Sequence, residues 1–230
     1  MIAFNPVFEL QFQAGIFSVC NHLTAEKKEY PTKDPLKEIE QYVLTDNQLR
    51  EELPFQGGAI GYIGYDVIAC YENLGEIPRD ELNIPDIDLF IFESFVIFDH
   101  QKEAMTLVVE NTYSQRAEGE LDSQLAILER ELQTPTKEEQ TTLLPEKLAF
   151  TSHFTQEAFE EVVNKAKEYI THGDLFQVVP SQRLSGVFKQ NPFDYYRKLR
   201  LSNPSAYLYY LDFNEGTKVI GSSPESLLQV

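Results

Sequence analysis

The stretch "GGAIGYIGYD", Gly57 to Asp66, holds four of the chain's 11 glycines and two tyrosines. Its reading decides between a nucleotide-binding fold and something else. Gly58, Gly61 and Gly64 recur at every third position, which is not the GxGxxG pattern. No Lys-Ser or Lys-Thr follows, so it is not a Walker loop. A dinucleotide loop also joins a strand to a helix. Here the flanks, "LPFQ" and "YDVIACYE", are aromatic or β-branched. The stretch reads as a glycine-bearing strand against which another backbone packs closely. Gly57 and Gly58 are expected to allow that approach, and Tyr62 and Tyr65 to fill core.

Outward from this stretch the chain alternates strands and helices. "FNPVFELQFQ" sets Val7, Glu9, Gln11 and Gln13 against Phe8, Leu10 and Phe12, the period of a half-buried strand. Ala14-Gly15 marks a hairpin turn. "DPLKEIEQYVL" predicts a helix capped by Asp34, with Pro35 in its first turn and Leu36, Ile39, Val43 and Leu44 as its apolar stripe. Asp88 to His100, "DLFIFESFVIFDH", reads as a strand that pairs with "AMTLVVENTY". Leu121, Leu125, Leu128 and Leu132 give the next segment helical spacing.

Thr134 to Lys147 contains two prolines and little periodicity, and reads as a linker. After it, Phe159, Val162, Val163, Ala166, Tyr169 and Ile170 predict a buried helical stripe. Thr155 is its cap, Phe154 and Phe159 its hydrophobic staple, and Gly173 its end. "LFQVVPSQRLSGVF" predicts a strand, and "NPFDYYRKLRL" a short helix capped by Asn191. "SAYLYYLDF" and "TKVIGSSPESLLQV" predict a third hairpin. Hairpins interspersed with helices make the expected class α+β, with antiparallel sheets and flanking helices.

Composition removes several functions. The chain has 19 basic and 37 acidic residues, a net charge of −18. Binding to nucleic acid or an anionic membrane rests on Lys and Arg, so neither is expected. Cys20 and Cys70 form no CxxC, and a reduced, cytoplasmic setting is expected. His22, His100, His153 and His172 stand far apart, with no HExxH and no paired ligands, so no metal site is expected within the chain. There is no GxSxG elbow.

Several blocks do carry a resemblance. "LPFQGGAIGYIGYDVIACYENL" and "IPDIDLFIFESFVIFDH" resemble the N-terminal domain of the anthranilate synthase component I family. "ITHGDLFQVVPSQRLSG", "NPSAYLYYLDF" and "VIGSSPESLLQV" resemble the opening of that family's chorismate-binding domain. The resemblance implies a regulatory domain over 1–145, missing its start, and the beginning of a catalytic domain over 146–230. Both belong to the layered α/β/β/α fold of that family, here truncated. It implies chorismate as substrate, a glutamine amidotransferase subunit (component II) as partner, L-tryptophan as inhibitor, and Mg²⁺ for the full-length enzyme, with its ligands beyond this chain.

Site residues follow from the same blocks. Gln177 matches the position where water-adding relatives place a Lys base. A glutamine takes up no proton at neutral pH, so this position leaves water inactive and admits ammonia. Glu225, in "SSPES", matches the general acid that protonates the departing hydroxyl. Ala206, Tyr207 and Leu208 match the family's NPSPYM block at the tryptophan site. Two of these three depart from it, and Ala206 restores a backbone N–H that proline lacks. Aminodeoxychorismate synthase component I is the alternative within the superfamily. A non-catalytic module that binds tryptophan or the partner is the alternative outside enzymes.

Overall fold

The computed structural model describes residues 1–43, 53–55, 57–76, 79–135 and 148–226. The chain divides into two compact units, Met1–Lys137 and Glu138–Val230.

In the first unit the strands are β1 (Ile2–Ala3), β2 (Phe8–Gln13), β3 (Ile16–Asn21), β4 (Glu26–Pro31), β5 (Gly58–Ile63), β6 (Ile87–Phe92), β7 (Ser94–Asp99) and β8 (Ala104–Val109). Helix α1 spans Pro35–Val43 and α2 spans Glu118–Gln133. Five strands form one sheet in the order β4-β3-β2-β6-β5, and β1-β7-β8 form another. Every pairing is antiparallel.

The β2–β3 turn is built as its sequence requires. Ala14 and Gly15 both take positive φ, 49° and 81°, the two left-handed residues of a tight hairpin. That turn fixes the register, Phe12 opposite Phe17 and Leu10 opposite Val19. These four pack with Ile87, Leu89 and Ile91 into the main core, which also takes Ile39 of α1 and Val67. Asp34 caps α1, its Oδ1 accepting from the Lys37 N–H at 3.2 Å. The buried residues of α1 are Pro35 and Ile39, while Leu36 is exposed, contrary to expectation. At 3.6 residues per turn Leu36 lies a hundred degrees or so round from Pro35, off the stripe. Leu44 lies outside the described residues. In α2, Leu128 is buried, Leu121 and Leu125 are half-buried, and Leu132 is exposed.

Asp88 to His100 is not one strand. It breaks at Glu93, and β6 joins the five-stranded sheet while β7 pairs with β1 and β8 in the other. All six residues of β6 are buried, as are the first four of β7. A run buried on both faces has no alternation whose phase could reveal the change of sheet.

The opening glycine stretch is strand β5, paired to β6. The close approach of backbone occurs at Gly61, not at Gly58, while a Cβ on Gly57 would lie 2.7 Å from the Glu110 carboxylate. A Cβ on Gly61 would lie 2.0 Å from the Asp88 carbonyl oxygen, whereas on Gly58 it would meet nothing within 4 Å. Gly58 is required instead by its φ of 116°. Tyr62 is half-buried and its hydroxyl donates to the Pro85 carbonyl at 3.0 Å. Tyr65 is 84% exposed and fills no core.

Two tyrosines give this unit a pH signature. Burial, then the Glu38 carboxylate that accepts from its hydroxyl, pushes Tyr30 up to about 12. Burial, then Asp88 and Asp86, does the same to Tyr62. Both exceed the ordinary value of 10.0. Their contribution to stability is therefore complete below the unfolded value and is lost as pH rises through about 12. In a spectrophotometric titration Tyr30 and Tyr62 are expected to ionise last, and Tyr62→Phe to remove one late step. Ionisation of every tyrosine at the ordinary value with the fold intact would contradict this.

In the second unit the strands are β9 (Thr151–Ser152), β10 (Leu184–Ser185), β11 (Tyr207–Asp212) and β12 (Lys218–Ser223), with α3 over Gln156–His172 and α4 over Pro192–Ser202. Thr155 caps α3 by accepting from the Ala158 N–H at 3.2 Å. Phe154 and Phe159 meet edge to face with centroids 6.0 Å apart, and Gly173 ends the helix at φ 83°. The α3 stripe is not buried. Phe159, Val163 and Ala166 are half-buried, and Val162, Tyr169 and Ile170 are exposed. Helical spacing encodes an apolar face but not the layer that covers it. The run from Leu175 to Phe188 is not a continuous strand either. Only Leu184–Ser185 pairs, with Thr151–Ser152, and Phe176 is fully exposed. β-Propensity is realised only where a neighbouring strand supplies partners.

The antiparallel sheets and helices together are of the α+β class expected. The linker stretch lies mostly outside the described residues.

Candidate functional site

Two of the blocks singled out in the second unit meet through one hairpin. Asn191 caps α4, its side-chain oxygen accepting from the Phe193 N–H at 2.9 Å, and Pro192 opens the helix. Phe193 and Tyr196 on α4 pack against Tyr210 of β11, with centroids 5.3 and 5.9 Å away. That aromatic group seats α4 on the hairpin. Burial raises the Tyr210 hydroxyl above its ordinary range.

The chain leaves α4 through Asn203 and enters β11 at Tyr207. In the β11–β12 pairing Tyr207 stands opposite Ser223 and Leu208 opposite Ser222. Ser222 Oγ donates to the Asn203 carbonyl at 2.7 Å and lies 3.0 Å from Ser205 Oγ. The Glu225 N–H donates to Ser223 Oγ at 3.4 Å. Ala206, Tyr207 and Leu208 are thus brought beside the turn that carries Glu225, although sequence separates them. Tyr209 crosses over Gly221, where a Cβ would lie 2.1 Å from the ring, so a larger residue there requires the ring to move.

Ala206, Tyr207 and Glu225 are exposed, and Leu208 is half-buried. Gln177 is also exposed, on the irregular segment after α3. Among the described residues no hydrogen bond joins Gln177 to the hairpin. The structure therefore brings together four of the five expected site residues and leaves the fifth on a separate segment.

One constellation escaped the sequence reading. Glu9, Cys20 and His22 converge so that one ligand atom from each lies within 4.8 Å of the others. Glu9 stands apart in sequence from Cys20 and His22, and only the register of the β2–β3 hairpin joins it to them. The signal was available in the Ala14-Gly15 turn, which places Glu9 opposite Cys20. This set does not fit Mg²⁺, which demands an octahedron of oxygens. A thiol and an imidazole are the wrong donors for it.

Comparison with known proteins places these features. The profile of the chorismate binding enzyme family matches residues 8–230. Anthranilate synthase component 1 of Lactococcus lactis subsp. lactis (strain IL1403) is 43% identical over 234 residues, covering 100% of this chain and 49% of the relative. Aminodeoxychorismate synthase component 1 of Bacillus subtilis (strain 168) is 34% identical, covering 97% of this chain and 47% of the relative. The crystal structure of anthranilate synthase component I from Streptococcus pneumoniae TIGR4 superposes with a TM-score of 0.83 at 40% identity, over 98% of this chain and 50% of that one. The chain spans about half the length of the relatives it matches. With a family profile that runs through both units and a shared backbone at this level of identity, the chain belongs to the chorismate binding enzyme family.

Proposed function

We propose that the chain is part of an anthranilate synthase component 1, an enzyme that converts chorismate and ammonia to anthranilate and pyruvate. The observation that carries this reading is the 43% identity to such a protein along the whole chain. The Bacillus subtilis relative, at 34%, supports the aminodeoxychorismate reading less strongly.

In this reading residues 1–145 belong to a regulatory domain and residues 146–230 begin the catalytic one. Gln177 admits ammonia because it cannot activate water, and Glu225 protonates the leaving hydroxyl. Ala206, Tyr207 and Leu208 line a tryptophan site responsible for feedback inhibition. A glutamine amidotransferase subunit supplies ammonia. Mg²⁺ binds elsewhere than the Glu9–Cys20–His22 group, whose donors do not suit it. The enzyme works in the cytoplasm. No helix among the described residues is long and apolar enough to cross a membrane.

The test uses the protein from the complete reading frame that contains these residues. Given chorismate, ammonium and Mg²⁺, it is expected to release anthranilate and pyruvate in equal amounts. An aminated chorismate that keeps its enolpyruvyl group would overturn this in favour of the second reading. The 230-residue chain alone is expected to form no fluorescent anthranilate under the same conditions.

A further inference from the structure

The polar face of the five-stranded sheet carries the Glu9, Cys20 and His22 group, which the reaction above does not use. Glu9 on β2 is directly across from Cys20 on β3. His22 follows Cys20 by two positions, so both side chains leave the same face. The His22 N–H donates to the Val7 carbonyl at 2.9 Å, which continues the antiparallel pairing as far as the ring.

The separations suit a small tetrahedral ion. His22 Nε2 lies 3.6 Å from Glu9 Oε2, and all three ligand atoms are within 4.8 Å of one another. Nitrogen and oxygen ligands about 2.0–2.1 Å from a tetrahedral zinc ion stand about 3.3 Å apart, and a sulfur at about 2.3 Å stands slightly farther. Small side-chain rotations close the difference.

The surroundings orient the ligands. Glu9 is buried at 8% exposure, and Gln11 Nε2 donates to its Oε1 at 3.2 Å. A hydrogen bond of this kind holds a ligating carboxylate in place. Phe90 flanks the His22 ring at a centroid distance of 6.4 Å. The His22 side chain is 32% exposed, which leaves a path for an ion and a water. Lys27 stands opposite Cys20, but its amine is drawn to Glu29 at 2.8 Å.

We propose that Glu9, Cys20 and His22 form a binding site for a divalent transition-metal ion of zinc type, with water as the fourth ligand. The mixed sulfur, nitrogen and oxygen donors select zinc-like ions over Mg²⁺ or Ca²⁺. A thiolate and a carboxylate together neutralise the ion. Binding sends the Cys20 thiol proton to solvent, so affinity rises with pH.

The test is a titration of the metal-free 230-residue chain with Co²⁺ alone. The expected spectrum has a thiolate-to-cobalt charge-transfer band and the intense visible bands of a four-coordinate centre, saturating at one ion per chain and bleached by Zn²⁺ but not by Mg²⁺. Cys20→Ser is expected to abolish the charge-transfer band and weaken binding by about 100-fold or more, and Gln11→Ala to weaken it by about 10-fold. Cys70→Ser is expected to change nothing. His22→Ala alters a partly exposed side chain and provides the ligand test if a Glu9 variant fails to fold. A cobalt spectrum without the thiolate band, or binding that survives both Cys20→Ser and His22→Ala, would overturn the proposal.

Discussion

Gly61→Ala is expected to destabilise the first unit by about 3 kcal/mol or more, beyond the usual range for overpacking. The added Cβ would lie 2.0 Å from the Asp88 carbonyl oxygen and 2.9 Å from Leu89 Cα. Both are backbone atoms of β6, which cannot swing aside as a side chain can. Relief requires β5 to part from β6, and β6 is buried along its whole length. Gly58→Ala is the control, because nothing lies within 4 Å of its Cβ. It carries only the strain of a φ of 116°, about 1–3 kcal/mol. Denaturant unfolding of the two variants checks the order. A Gly61→Ala protein as stable as Gly58→Ala would show that the two strands are not held this closely.

Glu93→Ala is expected to cost about 2–4 kcal/mol by leaving buried donors without an acceptor. Glu93 is 1% exposed and stands at the break between β6 and β7. Its Oε1 accepts from the Tyr113 N–H at 2.5 Å and the Ser114 N–H at 2.9 Å. Its own carbonyl accepts from the Glu110 N–H at 2.8 Å. The side chain thereby pins the turn that carries Tyr113, whose hydroxyl donates to the Tyr42 carbonyl and whose ring packs on Phe8. Glu93→Gln keeps the accepting oxygen. It replaces Oε2, which is buried and has no hydrogen-bond partner. This variant is expected to recover most of the loss. Burial, then the Glu110 and Glu93 carboxylates, raises the Tyr113 hydroxyl, so it should fall toward its ordinary range in both variants, and further in Glu93→Ala, which also loosens the turn. Equal losses in both variants would mean that the carboxylate is not the acceptor that matters.

The parts legible in the sequence were those written in short-range chemistry. The Ala14-Gly15 turn, the Thr155 and Asn191 caps, the Phe154–Phe159 staple and the Gly173 stop are each decided within a few residues. The strand character of the glycine stretch was legible too, since its spacing fits no phosphate loop. The errors share one cause. Leu175–Phe188 has strand composition, α3 has an apolar face, and Asp88–His100 has two apolar runs divided only by Glu93-Ser94. In each, the outcome depends on a neighbour that local pattern does not name.

The site divides the same way. Motif resemblance marks Gln177, Glu225 and the Ala206–Leu208 block, but the meeting of Glu225 with that block depends on the β11–β12 register and the Ser222 bond to Asn203, and Gln177 stays apart from both. Nothing in the spacing of Glu9, Cys20 and His22 suggests a cluster until β2 and β3 are paired. The sequence by itself determined the class of fold, the helix ends, the hairpin turns and the family, because caps, turns and motifs act over a few residues. Tertiary structure alone decided which glycine needs to be glycine, where the long apolar run changes sheets, and which distant polar side chains share a face. Those outcomes depend on backbone pairing between segments far apart in the chain, and pairing brings together atoms that no local period relates.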